Sequence, residues 1–377
     1  MKKIMTELVE SFQSKPTQTI LQDITGLSSS LTPKLRRPVK LMAVSGEQTL
    51  AIASHNLNGI ALEHLEFVQG YGKAAWSLPI DRVNHALAIA QKPDVILTTF
   101  SEVMTIRGSQ QNLSEIRGTG ADIRTINSPQ DALKIAQENP SKQVVFFAVG
   151  YEDSVLSTAQ TVGQAAAEGI SNFSVYCNHM TLIPAIKAIL DSPSIHIDGL
   201  ICASEVASVI GLEPYRFFVE SYRKPIIIAD SSHQAILKAT QTLLQQLVDG
   251  HAELQDQAQV PAEGDSEALQ TICEVFEPRE FYEWRGMGSV DFSGLRLRSD
   301  YVQFDAEVKF NLPKLKLADV QFAQCMTILT GVFQPCQCKI FGAGCSPKTP
   351  MGTYMTTEEG ICAMHYKVFP FIAAISD

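Results

Sequence analysis

No stretch of this sequence approaches the roughly 18 consecutive apolar residues that a membrane-spanning helix needs, so a membrane protein is not expected. No Lys/Arg cluster of useful length is present, and the formal net charge is −10. A nucleic-acid binder needs a basic face, so that class is not expected either. The nearest approach, Lys34, Arg36, Arg37 and Lys40, is broken by prolines and reads as a solvated linker. Met1-Lys2-Lys3 is not followed by an apolar core, because Glu7, Glu10 and Lys15 interrupt it, which is unlike a secretory leader. The expected location is cytoplasmic, where structural disulfides are rare and grouped cysteines more often bind metal or do redox chemistry. No close internal repeat is visible. Apolar material, by contrast, is ample: 45% of the 377 residues are hydrophobic and 19% charged, enough for two or three packed domains.

Residues 1–37 hold an amphipathic stretch (Ile4, Leu8, Phe12, then Ile20, Leu21, Ile24). From Pro38 onward, short β-branched runs alternate with helical patterns. The runs are Val39–Val44, Leu65–Val68, Asp94–Thr99, Gln143–Val149, Phe173–Cys177, Ile195–Cys202 and Pro225–Ala229. Helical periodicity covers Val83–Ala90, Pro129–Gln137, Ala159–Ala167, Leu182–Leu190 and Gln234–Val248. Fully apolar strands between helices imply α/β architecture with parallel sheets covered on both faces. Two smaller sheets fit the distribution better than one of seven strands, with the irregular stretch Phe100 to Gly120 at the edge of the first. Ser128-Pro129 reads as an N-cap with its first-turn proline, and Gly250 as a helix C-cap. The polar stretch 251–265 reads as a linker.

Five of the eight cysteines fall within 38 residues: Cys325, Cys336, Cys338, Cys345 and Cys362. The surrounding glycines and prolines let such a backbone fold back on itself and bring separated thiols to one place. Cys177, Cys202 and Cys273 lie in apolar segments and read as buried small hydrophobes. Zinc sites usually present paired C-x₂₋₄-C knuckles. Here Cys325, Cys338, Cys345 and Cys362 are separated by twelve, six and sixteen residues. That spacing suits a [4Fe–4S] cluster better, each iron taking its own thiolate, and leaves zinc as the alternative.

The Cys325–Cys362 block, with its LTG, P-x-x-C, FG, C-x-P and EG-x-C elements, resembles the C-terminal region of the HypD family of hydrogenase formation (maturation) proteins. Asp131–Pro140, Val144–Phe147, Cys177–Pro184 (C-x-H-x-TLIP), Trp284–Gly288 (WRGMG) and Tyr301–Glu307 extend the likeness over nearly the whole chain. The resemblance implies two Rossmann-like domains plus a third, C-terminal iron–sulfur domain packed with the N-terminal helices. The expected division is an N-terminal segment 1–37 on the third domain, α/β domains at 38–127 and 128–250, and a cluster domain at 251–377. It also implies a [4Fe–4S] cofactor on Cys325, Cys338, Cys345 and Cys362, with Cys336 as an extra. A small HypC-like chaperone is the implied partner and a HypE-like protein a less expected one, on a scaffold assembling the Fe(CN)₂CO unit of [NiFe] hydrogenase.

The departures from the family pattern fall at strand ends. Cys-Gly-Gly-His-Thr-His becomes Ser45-Gly46-Glu47-Gln48-Thr49-Leu50, and Gly-Pro-Gly-Cys-Pro-x-Cys becomes Gly70-Tyr71-Gly72-Lys73-Ala74-Ala75-Trp76. Pro-Gly-His becomes Ala203-Ser204-Glu205; Gly-Phe-Glu-Thr-Thr becomes Gly150-Tyr151-Glu152-Asp153-Ser154; Gly-Phe-Glu-Pro becomes Asp230-Ser231-Ser232-His233. Lys73 and Trp76 cannot cycle as a thiol pair, and the Ser45 hydroxyl is a poor ligand for soft iron. Ligand sites in open α/β sheets lie at strand ends, so Ser45, Glu47, Gln48, Lys73, Trp76, Glu152, Asp153 and Glu205, with Asp230 and His233, are the candidates for an altered cleft. Ser45–Thr49, Gly70–Trp76, Glu152–Ser154 and Glu205 are expected to converge there. Lys73 should face a carboxylate (Glu47, Glu152 or Glu205), and Trp76 should form a flat wall. Two other readings stand beside this one: a non-catalytic scaffold docking a HypC-like partner or a true HypD, and a maturation protein drawing thiols from Cys177 and Cys202.

Overall fold

The computed structural model describes residues 15–54, 57, 63–192, 196–313, 323–329, 332–356 and 360–373. The chain opens with α1 (Lys15–Leu35) and then alternates: β1 (Val39–Ser45), α2 (Gly46–Ser54), β2 (Leu65–Gly72), α3 (Ile80–Ala90), β3 (Val95–Thr99), α4 (Leu113–Gly118) and β4 (Ile123–Thr125). It continues with α5 (Pro129–Glu138), β5 (Gln143–Gly150), α6 (Glu152–Ala167), β6 (Phe173–His179), α7 (Leu182–Leu190) and β7 (Gly199–Ala203). Next come α8 (Ser204–Ile210), α9 (Glu213–Tyr222), β8 (Ile226–Ala229), α10 (His233–Asp249) and β9 (Leu254–Asp256). The caps read from sequence are present: Asp131 accepts from the Ser128 backbone N–H at 3.0 Å, and Gly250 ends α10 at φ 76°, a left-handed conformation that costs glycine little.

Two parallel sheets form, in the orders β2-β1-β7-β8-β9 and β4-β3-β5-β6. This agrees with the expected α/β class, but the strands do not sort as 38–127 against 128–250. The chain lays down β1 and β2, leaves to build the whole second sheet from β3 to β6, and returns for β7, β8 and β9. Apolar β-branched runs mark a strand as buried; they carry no information on which strand lies beside it. β9 falls inside the stretch read as a linker, because a three-residue edge strand with the sequence Leu-Gln-Asp has no apolar pattern to find.

Helix α1 packs along α10, with Ile24 and Leu31 buried against the layer of Leu41, Ile201 and Leu243. It therefore covers the first sheet, not the cysteine-bearing segment as expected; the N-terminal residues 1–14 lie outside the described residues. Met42 and Val68 of the first sheet share one buried cluster with Leu97, Val145 and Phe147 of the second, so the two sheets are joined by a common core. The expected 251–377 unit likewise divides. Its first half comprises α11 (Ser266–Val275), β10 (Phe276–Pro278), β11 (Phe281–Trp284), β12 (Gly288–Asp291), β13 (Leu295–Leu297) and α12 (Ala306–Lys309). These pack on α6 and on β6 of the second sheet. Its second half, α13 (Ala323–Leu329) and α14 (Ile361–Ala373), lies by β2 and the turns Pro335–Gln337 and Thr353–Met355.

Glu307 of α12 fixes the first half in place. It binds Arg82 of α3 at 2.6 Å and also Arg279. The Arg82 guanidinium lies over the rings of Tyr176 and Tyr282, 5.8 and 5.2 Å from their centroids, so a buried cation has both an anion and two aromatic faces.

Candidate functional site

The carboxyl ends of β1, β2, β5 and β7, with the turn after β3, meet around a cavity of about 350 Å³. Strand ends from both sheets contribute, which is where open α/β sheets leave a crevice. Ser45, Glu47, Lys73, Asp153 and Glu205 line it, as the sequence reading anticipated. Gln48, Trp76, Glu152, Asp230 and His233 are not among its lining residues.

Each exclusion has a local cause. Ser45 and Gln48 cap the first turn of α2 reciprocally: the Ser45 hydroxyl accepts from the Gln48 N–H at 3.1 Å, and the Gln48 carbonyl accepts from the Ser45 N–H at 3.4 Å. The Gln48 amide then donates to the Ala229 carbonyl at 3.1 Å. That side chain is spent tying β1 to β8. Trp76 turns inward and is 2% exposed. Gly72 makes this possible: at φ 70° any Cβ would lie 2.3 Å from the indole, so only glycine lets the ring pack beneath the turn. The flat wall expected from Trp76 is supplied instead by Tyr151, stacked at 16° on the buried Trp284.

Lys73 stands 4.0 Å from the Glu47 carboxylate, one of the pairings expected for it. Glu152 is 7% exposed and accepts from the Leu182 N–H, at the start of α7, at 2.8 Å. Its other oxygen has no hydrogen-bond partner among the described residues. Burial pushes this carboxyl up to about 7, because the charged form loses its water. Asp153 opens into the cavity but has protein on most other sides; burial raises its carboxyl, and the charges of Glu205 and Glu47 add to the shift. Phe100, Glu102, Leu182 and Val206 complete the lining. Sequence reading missed them. Their one signal was position, immediately after a strand or at a helix start.

No cysteine lines the cavity. Cys177 is buried, its thiol donates to the Leu295 carbonyl at 3.3 Å and is pushed up to about 12 by burial. Cys202 is 1% exposed and its thiol is raised by burial alone. Neither is a thiol of the cleft.

A second candidate site lies in the C-terminal segment. Cys345 and Cys362 are buried, Cys325 and Cys338 half-buried, and Cys336 exposed. Burial raises the Cys362 thiol, and the neighbouring Cys325, Cys345 and Cys338 add to the shift; Cys336 takes no part. Burial with the nearby Cys345 and Cys338 likewise pushes Cys325 up to about 11. The Met351 N–H points at the Cys345 sulfur, 3.4 Å away. A Cβ on Gly352 would lie 2.6 Å from the Cys325 sulfur, so bare backbone is needed there. Four thiols share one buried neighbourhood, with a backbone donor on one and a glycine cradle on another. Among the described residues no three His, Cys, Asp or Glu side chains gather as ligands of a single ion. The donor set is soft and all-sulfur, and its members are spread apart, as a multi-iron cluster with one thiolate per iron requires.

Among the described residues no helix is long and apolar enough to cross a membrane. Residues 17–369 match the family model HypD, described as the hydrogenase formation hypA family. The chain is 37% identical over 354 residues to the hydrogenase maturation factor HypD of Rhodobacter capsulatus, covering 92% of this chain and 94% of that protein. It is 36% identical over 350 residues to HypD of Escherichia coli (strain K12), with the same coverage of 92% and 94%. To HypD of Rhizobium leguminosarum bv. viciae it is 38% identical over 339 residues, 88% of each chain. With a family model matched along almost the whole described chain and relatives above one-third identity across their length, the protein belongs to the HypD family.

Proposed function

We propose that this chain is a hydrogenase-maturation-type protein that retains a [4Fe–4S] centre on Cys325, Cys338, Cys345 and Cys362 and has exchanged the thiol chemistry of its cleft for a polar binding site. The observation carrying this reading is the cleft lining: where thiol chemistry would need cysteine, the cavity presents Ser45, Lys73, Asp153 and Glu205. A hydroxyl and an ammonium neither form a disulfide nor hold soft iron. The four grouped thiols, the Met351 donor and the Gly352 cradle support the cluster. Bound there, it would supply one-electron capacity and tie the C-terminal segment to β2.

A second reading, a scaffold that docks a HypC-like chaperone or a true HypD, is favoured by one feature. Phe281 and Phe292 are 58% and 59% exposed at the open end of the β11–β12 hairpin. The two readings share a test. Purified without oxygen, the protein should hold about four irons and four sulfides per chain; stoichiometric zinc without sulfide would remove the cluster. Expressed in place of a genuine HypD, it should fail to restore [NiFe] hydrogenase activity, and restored activity would overturn the loss of cleft chemistry.

A further inference from the structure

The inference concerns what the cleft holds, and it rests on the reading of that cleft as a binding site. Three strand-to-helix junctions each bring a carboxylate to the cavity: Glu47 after β1, Asp153 after β5 and Glu205 after β7. Lys73 stands near Glu47 at 4.0 Å. Asp153 and Glu205 have no Lys, Arg or His in ion-pair contact among the described residues, and the side-chain partner of Glu205 is the Ser204 hydroxyl at 3.4 Å. Glu205 lies close enough to disfavour charge on Asp153. The fold thus holds like charges together without a counter-charge of its own, an arrangement that costs stability unless something positive joins it.

A third carboxyl stands behind them. Glu152 lies against the backbone of Leu182, itself a lining residue, with its second oxygen buried and without a partner among the described residues. The rest of the wall is apolar: Phe100, Val149, Leu182 and Val206. A bare metal ion is a poor match, since among the described residues no three acidic, cysteine or histidine side chains close on one point. About 350 Å³ with an apolar wall and separated carboxylates accommodates a small organic molecule.

We propose that the cleft binds a small organic cation, a protonated amine or amidinium with an apolar body, its charged end taken by Asp153 and Glu205 and its body laid against Phe100, Leu182 and Val206. Such a ligand supplies the missing counter-charge and covers the apolar wall in one step.

The test uses the full chain, purified without oxygen, and three isosteric probes: butylamine, butyrate and butanol, followed by saturation-transfer-difference NMR. Butylamine should bind about tenfold tighter than either of the others, and D153N and E205Q should each weaken it by about fivefold. Equal binding of the three probes overturns the proposal, as does butylamine binding that neither substitution changes. A preference for butyrate also overturns it and assigns the cleft to anions through Lys73. The probe comparison needs no variant, so a substitution that misfolds leaves the test intact. Iron and sulfide content and hydrogenase rescue are separate measurements, so failure here is distinguishable from failure of the proposed function.

Discussion

Replacing Glu152 by glutamine tests whether the floor of the cleft holds a neutral carboxylic acid. In the folded protein this carboxyl is raised from 4.5 to about 7 by burial, which outweighs the hydrogen bond from Leu182. At about 1.4 kcal/mol for each pH unit, that interval amounts to roughly 3 kcal/mol. The sign follows from proton counting. Between pH 4.5 and about 7 the folded chain keeps a proton that the unfolded chain releases, so stability falls as pH rises through that window. Glutamine keeps the acceptor for Leu182 and has no charge to bury. Glu152→Gln should therefore match the parent within about 1 kcal/mol at pH 5 and be more stable by up to about 3 kcal/mol at pH 8. Asp153 is present in both chains, so its own titration cancels in the difference. Urea unfolding midpoints across pH 5 to 8 measure the effect, and a carboxyl ¹³C titration reads the group directly. If the variant is less stable than the parent by the same amount at every pH, Glu152 is ionised in the fold and the reasoning fails.

Trp76→Ala should destabilise the protein by about 3–5 kcal/mol, since the indole is 2% exposed, and leave probe binding in the cleft unchanged; a loss of binding with little loss of stability would place the ring in the cavity after all. Gly352→Ala puts a methyl group 2.6 Å from the Cys325 sulfur and should lower the iron and sulfide content of anaerobic preparations, while Cys336→Ser should leave both as they were; bleaching by Cys336→Ser would show the ligand set to be wrong. Glu307→Gln removes the anion shared by Arg82 and Arg279 and should cost about 3 kcal/mol by denaturant unfolding; a neutral result would mean the Tyr176 and Tyr282 faces suffice to hold the Arg82 charge.

The elements themselves were legible in the sequence. Apolar β-branched runs such as Val39–Val44 and Gln143–Val149 are buried on both faces in any parallel sheet, so composition alone marks them. Ser128-Pro129 and Gly250 act through their own backbone, which is why they could be read without knowing any neighbour. The crowding of five cysteines into loop-rich sequence, and the fall of Ser45, Lys73, Asp153 and Glu205 at strand ends, were equally local facts. What the tertiary structure decided was everything that depends on a partner distant in sequence. Strand pattern does not say that β7 pairs with β1 across an entire intervening sheet, nor that α1 lies on α10. Gln48 and Lys73 look alike as polar loop residues; the Ala229 carbonyl captures one, and the other is left at the cavity beside Glu47. Trp76 and Tyr151 exchanged their expected places because Gly72, at positive φ, opens room for an indole beneath the turn. Side-chain direction at a strand end is set by the space the opposite sheet leaves, and only the packed molecule defines that space.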